Sequence, residues 1–160
     1  MATKVGDKFP NVEVGRMGEK GPENVKTDEL FKGKRVVLFS VPGAFTPTCS
    51  KAHLPGFVVN ADNLRDKGID LIACVAVNDA FVMDAWGRAS HVGDEIVMLA
   101  DGNGEMAQKL GLELDASGYG MGKRGKRFSM VIDNGVVAQL YVEAPGEFKV
   151  SSAEHMLEHL

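Results

Sequence analysis

Arg35-Val36-Val37-Leu38-Phe39-Ser40-Val41, closed by Pro42-Gly43, is the stretch on which the fold turns. It is short, β-branched and apolar nearly throughout instead of alternating, which is the pattern of a strand buried on both faces of a sheet. Ile69-Asp70-Leu71-Ile72-Ala73-Cys74-Val75-Ala76-Val77 has the same character. Strands of this kind are usually parallel neighbours joined by a crossover helix. The intervening residues are rich in Pro and Thr up to Cys49 and then form a mixed segment to Lys67-Gly68. That segment reads as helix, with Pro55 as a kink or break. Together these pieces make a βαβ unit.

Further along, Asp79 is placed to cap a helix carrying Phe81, Val82, Ala85 and Trp86 on one face, and Ile96-Val97-Met98-Leu99-Ala100 reads as the next strand. Glu105 to Leu110 reads as a short helix stopped by Gly111. Residues 128–132 and 136–142 are strand-like and flank Asp133-Asn134-Gly135, whose Asn-Gly pair is a strong hairpin signal. Ser151-Ser152-Ala153-Glu154 fits a capping box opening a C-terminal helix with Met156, Leu157 and Leu160 as its apolar residues. At the N-terminus, Gly15, Gly18, Gly21 and Pro22 suit a small hairpin. The order β-α-β-α-β-α-β-β-α is that of a thioredoxin-like α/β fold enlarged by one strand and helix. The expected architecture is a central mixed β-sheet flanked by helices, with an N-terminal β-hairpin extension.

The chain has 160 residues, 44% apolar and 25% charged. That suits one domain over 1–160 with a substantial core, and argues against disorder or a coiled coil. With 18 Lys and Arg against 22 Asp and Glu, the net charge of −4 gives no broad footprint for nucleic acid or an anionic membrane. No apolar run approaches the roughly 18 residues of a membrane span, and Met1 to Lys8 lacks the apolar core of a signal peptide. The expectation is a cytoplasmic protein without nucleic-acid or membrane partners.

Two cysteines, Cys49 and Cys74, are too few for a disulfide scaffold or a structural zinc site. Cys49 lies in Val41-Pro42-Gly43-Ala44-Phe45-Thr46-Pro47-Thr48-Cys49-Ser50, which leaves the C-terminal end of the first central strand and enters a helix. Ligands bind at that end of open α/β sheets. Pro47 suits the first helical position and Thr46 its cap, although Thr48 could cap a helix starting slightly later. Either register puts Cys49 near the positive helix end, which favours the nucleophilic thiolate. The competing reading is a small buried core residue.

Pro42 to Ser50, followed by His53-Leu54-Pro55-Gly56-Phe57, resembles the active-site signature of the peroxiredoxin 5 group, which includes the plant type II peroxiredoxins. The likeness extends to Val77-Asn78-Asp79-Ala80-Phe81-Val82, Leu99-Ala100-Asp101-Gly102 and Lys126-Arg127-Phe128-Ser129-Met130-Val131, nearly the whole chain. It implies a thiol peroxidase for hydrogen peroxide and small alkyl hydroperoxides, with Cys49 as the peroxidatic nucleophile passing through a sulfenic acid. It further implies that the Thr46 hydroxyl bonds the peroxide, that Pro42 shields the thiolate and that Arg127 stabilises thiolate and leaving oxygen. The plainer readings are a helix cap for Thr46 and a solvated strand-end charge for Arg127, in the basic run Lys123-Arg124-Gly125-Lys126-Arg127. A homodimer packed near the active-site loop through Phe45 and Phe81 is also implied.

The resemblance calls for no bound cofactor or metal, only an external thiol reductant. Animal members carry a late resolving cysteine, whereas this chain has none after Cys74 and reads Gly146-Glu147-Phe148-Lys149-Val150-Ser151-Ser152 there. Cys74 resembles the second cysteine of plant members, but its apolar strand argues for burial. The favoured cycle is therefore recycling of Cys49 by glutathione and glutaredoxin, with thioredoxin as the alternative reductant and a Cys49–Cys74 disulfide as the runner-up. A Cys-x-x-Cys oxidoreductase is disfavoured, because the window reads Cys49-Ser50-Lys51-Ala52.

Four weaker signals are discounted on context or left open. Gly120-Met121-Gly122-Lys123-Arg124-Gly125 matches G-x-G-x-x-G but precedes a strand, so it reads as a mobile loop whose Met121 or neighbouring Tyr119 walls the pocket. His155-Met156-Leu157-Glu158-His159 has zinc-peptidase spacing on a short terminal helix without an evident third ligand. His53 either orients the active-site helix or is a packed core histidine, and Arg88 is divided between a charge network and plain surface.

Overall fold

The computed structural model describes residues 2–160. A seven-stranded sheet runs in the order β2 (Gly21–Lys26), β1 (Glu13–Gly18), β5 (Val97–Ala100), β4 (Leu71–Ala76), β3 (Arg35–Ser40), β8 (Phe128–Asp133), β9 (Val136–Val142). The three central strands, β3, β4 and β5, are parallel, while β8 lies antiparallel to β3 and β1 antiparallel to β5. This is the thioredoxin-like mixed sheet that the apolar runs predict, with the β1–β2 hairpin as its extension.

Period-two alternation in the central strands assigns each side chain to one of two cores. Val36 and Leu38 of β3 face one side with Ala73 and Val75 of β4, packed under α1 (Thr27–Phe31) and α5 (Glu105–Leu110). Val37 and Phe39 face the other with Ile72 and Cys74, beneath α2 (Leu54–Val59), α3 (Ala61–Asp66), α4 (Ala80–Ala89) and α6 (Ala153–Glu158). Cys49 belongs to this second core, so both thiols lie on one face of the sheet. Phe39 stacks on Phe57 with centroids 4.0 Å apart and fastens α2 over β3.

The segment after β3 is helical from Pro47, but Cys49–His53 is wound as a π-helical turn, and the Leu54 amide donates to the Cys49 carbonyl five residues back. Pro55 explains the widening. It has no amide to donate and its ring would crowd a carbonyl one α-turn back, so the looser turn before it relieves both problems. The expected kink is thus a π-bulge beginning at Cys49, and the helix breaks again at Asn60.

Four local expectations are corrected. On α4 the buried residues are Met83, Trp86 and Gly87, while Phe81 is 65% exposed and Ala85 also faces out. The turn on β5 decides this, because Gly87 lies close against Met98 and Val92. The N-cap of α6 is Ser152, which accepts from the His155 amide. Glu154 is then one position too early to close a capping box, and Ser151 bonds Glu143 instead. The glycine-rich 120–125 segment is no free loop: it contains β7 (Lys123–Gly125), paired with β6 (Glu113–Asp115) in a small second sheet. Of its two expected wall residues Tyr119 is 86% exposed, while Met121 reaches the turn at Gly43. Finally, Thr46 precedes the helix, but its hydroxyl donates to the Gly43 carbonyl at 2.7 Å and caps no helix amide.

Candidate active site

Beyond β3 the chain turns through Pro42, Gly43, Ala44 and Phe45. Phe45 takes φ +63°, a left-handed conformation costly for a bulky side chain. Two bonds hold the turn there: the Ala44 amide donates to Asn78 Oδ1 at 2.9 Å, and the Thr46 amide reaches the Gly43 carbonyl at 3.4 Å. Arg124, on the small second sheet, packs beside the same loop. Its Nε donates to the Met121 carbonyl and its Nη1 to the Val77 carbonyl, both at 2.9 Å, beside Gly43.

The turn seats Cys49 with its side chain fully buried. The Nη2 of Arg127 donates to Cys49 Sγ at 3.1 Å, within reach for a charge-assisted hydrogen bond to sulfur. Arg124 makes no such contact, so of the two arginines in the basic run Arg127 is the one facing the thiol. Thr46 and Pro42 are half-buried on the connecting loop. Because the Thr46 hydroxyl spends its proton on Gly43, it offers only lone pairs to an incoming group.

His53, four residues beyond Cys49, is completely buried. Its Nε2 lies 2.9 Å from the Ser151 carbonyl and its Nδ1 2.8 Å from Arg127 Nη1. A carbonyl only accepts, so Nε2 carries the proton and Nδ1 accepts from arginine. Burial first, and the Arg127 charge second, lower the His53 pKa to about 3, which keeps the ring neutral. His53 is therefore both packed in the core and joined to the site. It contacts the rings of Phe39 and Phe148, and Phe148 also covers the Arg127 guanidinium at 5.8 Å.

Trp86 Nε1 donates to Ser50 Oγ at 3.0 Å and ties α4 to the residue after the cysteine. Cys74, also wholly buried, sits in β4 opposite Phe39 and Met98. Burial pushes its thiol well above the ordinary range, and the neighbouring Cys49 adds to the effect. Arg88 lies outside the cluster, mostly exposed and paired with Asp84 at 3.1 Å. His155 and His159 stack on each other against Tyr141. Among the described residues no three His, Cys, Asp or Glu side chains group as a metal site. Sequence reasoning missed Asn78, Glu143 and the joint of His53 to Arg127. Asn78 does lie within a matched motif, but its task depends on a loop far away in sequence.

A buried thiol under a guanidinium, at the C-terminal end of a central strand in a thioredoxin-like sheet, defines a site for thiolate chemistry. Residues 4–157 match the Redoxin family. The chain is 50% identical over 161 residues to the chloroplastic peroxiredoxin-2E of Arabidopsis thaliana, covering 98% of this chain and 68% of the relative. A reduced Prx3 of Vibrio vulnificus solved with hydrogen peroxide superposes with a TM-score of 0.95 at 53% identity, covering 98% of both chains. Peroxiredoxin 5 of Alvinella pompejana gives 0.85 at 34% identity, covering 98% of this chain and 96% of that one. The chain belongs to the peroxiredoxins, in the peroxiredoxin 5 and plant type II group of the redoxins, and its class of activity is thiol-dependent peroxide reduction.

Proposed function

We propose that the protein reduces hydrogen peroxide and short alkyl hydroperoxides at Cys49 and is recycled by glutathione with glutaredoxin. The observation that carries the assignment is the 3.1 Å contact of Arg127 Nη2 with Cys49 Sγ. The Cys49 thiolate attacks one peroxide oxygen, an S–O bond forms as the O–O bond breaks, and the sulfur is oxidised to sulfenic acid. The other oxygen leaves as water or alcohol after taking a proton. Arg127 stabilises the thiolate and the charge developing on the leaving oxygen, Thr46 accepts from the peroxide O–H, and Pro42 limits water access. The fully covered sulfur favours small peroxides over bulky ones.

Glutathione thiolate then attacks the sulfenic sulfur, forming S–S while hydroxide leaves as water, and a second thiol, on glutaredoxin or glutathione, releases Cys49. The cycle draws its electrons from external thiol and uses no bound cofactor. The buried central-strand position of Cys74 supports this single-thiol route. Bridging to Cys49 would need the two Cα atoms within about 7 Å and a sulfur freed from the core. Peroxide consumption measured separately with glutathione, glutathione plus glutaredoxin, and thioredoxin plus its reductase tests the choice. The glutathione systems should sustain turnover, and turnover with thioredoxin alone would overturn it.

Phe45, in the turn before Cys49, and Phe81, at the start of α4, are 56% and 65% exposed and suit burial against a second copy of the chain. A homodimer through this face should appear in sedimentation at about tens of micromolar protein, and a monomer throughout that range would contradict it.

A further inference from the structure

Glu143 follows the last residue of β9, and its amide donates to the Arg127 carbonyl at 3.0 Å. Its side chain is buried, and among the described residues it pairs with no lysine or arginine. The carboxylate instead gathers the chain ahead of α6. It accepts from the Lys149 amide at 2.9 and 2.8 Å, from the Val150 and Ser151 amides at 2.8 Å, and from the Ser151 hydroxyl at 2.7 Å. A buried carboxylate is costly unless fully hydrogen-bonded, so three successive amides and a hydroxyl converging on one acid leave that loop a single conformation.

The conformation has a direct consequence at the site. It presents the Ser151 carbonyl to His53 Nε2, and the same loop lays Phe148 against His53 and Arg127. With the proton fixed on Nε2, the bare Nδ1 accepts from Arg127 Nη1, while Nη2 of the same planar guanidinium points at Cys49 Sγ. In the other tautomer two N–H donors would face each other and the guanidinium would swing off the sulfur.

We infer that Glu143 is a positioning residue of the peroxide reaction: through the 148–151 loop it fixes the tautomer of His53, and through His53 it aims Arg127 at the Cys49 sulfur. The inference rests on Cys49 being the reacting thiol. Glu143→Gln is the informative change, because a glutamine offers one acceptor oxygen and turns an NH₂ towards groups that are already donors.

Nitrogen-15 NMR of the histidine rings in the reduced wild-type protein reads the tautomer directly. His53 should show a protonated Nε2 and a bare Nδ1, and a proton on Nδ1 would overturn the proposal without any variant. In Glu143→Gln the tautomers should mix. The midpoint of the pH profile for Cys49 alkylation should rise by about half a unit or more, and the single-turnover rate with hydrogen peroxide should fall about tenfold. Ser151→Ala, which removes only the hydroxyl bond, should move all three readouts the same way by less. A Glu143→Gln protein that loses rate with the wild-type tautomer and alkylation profile would assign Glu143 a merely structural part and overturn the inference, as would unchanged behaviour throughout. Peroxidase activity surviving in Cys49→Ser would instead remove the reading of the site on which it rests.

Discussion

At the scale of single residues, two arginines three positions apart divide the work: Arg127 reaches the sulfur, while Arg124 ties the Met121 and Val77 carbonyls together beside Gly43. Arg127→Gln should move the Cys49 alkylation profile to higher pH and slow peroxide attack by about a hundredfold, as for the loss of a transition-state donor. Arg124→Gln should leave that profile in place, and stopped-flow oxidation of the two variants compares them. Should Arg124→Gln be the damaging change and Arg127→Gln silent, the assignment of the arginine would be wrong. Thr46→Val keeps the shape and removes the acceptor, so the peroxide rate should drop about tenfold or more with little change in the urea midpoint. The place of Cys49 at the start of a helix after a central strand is legible because its motif is contiguous, whereas the cap expected of Thr46 gives way to a bond to the Gly43 carbonyl. The partnership of Arg127 with Cys49 spans 78 residues, and that of His53 with Ser151 spans 98. Backbone pairing across the sheet and between elements creates both partnerships, and no local pattern encodes them.

Among the elements, the π-helical turn at Cys49–His53 and α2 behind it are held to the sheet by the Phe39–Phe57 stack. Phe57→Ala empties a fully buried site and should cost about 3–5 kcal/mol of unfolding free energy, read from chemical denaturation. Because the active-site turn loses its backing, peroxide reactivity should fall with it. The β8–β9 hairpin shows what turn chemistry makes legible. Asn134 and Gly135 take φ of +46° and +83°, the left-handed pair that an Asn-Gly dipeptide announces. Local pattern misleads where tertiary packing outweighs it. Phe81 is apolar, yet α4 turns it outward because Met83, Trp86 and Gly87 fit against β5. The β6–β7 pair consists of three-residue strands separated by glycines, too short to show a period.

For the molecule as a whole, acid is the sensitive direction. His53 holds no proton in the folded state until pH about 3, whereas the unfolded chain takes one near its ordinary value of 6.5. Stability is therefore intact above 6.5 and falls as pH drops from 6.5 towards 3, by roughly 1 kcal/mol per pH unit from this group. Burial pushes the Glu143 carboxyl up, but bonds from the Ser151 hydroxyl and the 149–151 amides outweigh it and hold the carboxyl below its usual 4.5, so its contribution is lost below that pH. Asp101, raised chiefly by burial, opposes the trend only around its own titration. Urea midpoints between pH 7 and 5 should decline in the wild type, with a shallower slope in His53→Gln.

The proposed cycle requires that Cys49 alone meet the peroxide. The most direct measurement exposes the reduced protein to one equivalent of hydrogen peroxide in the presence of a dimedone-type trap and maps the label by mass spectrometry. The trap should be found on Cys49, with Cys74 recovered as a free thiol and no label in Cys49→Ser. A label elsewhere, or one that persists in Cys49→Ser, would contradict it.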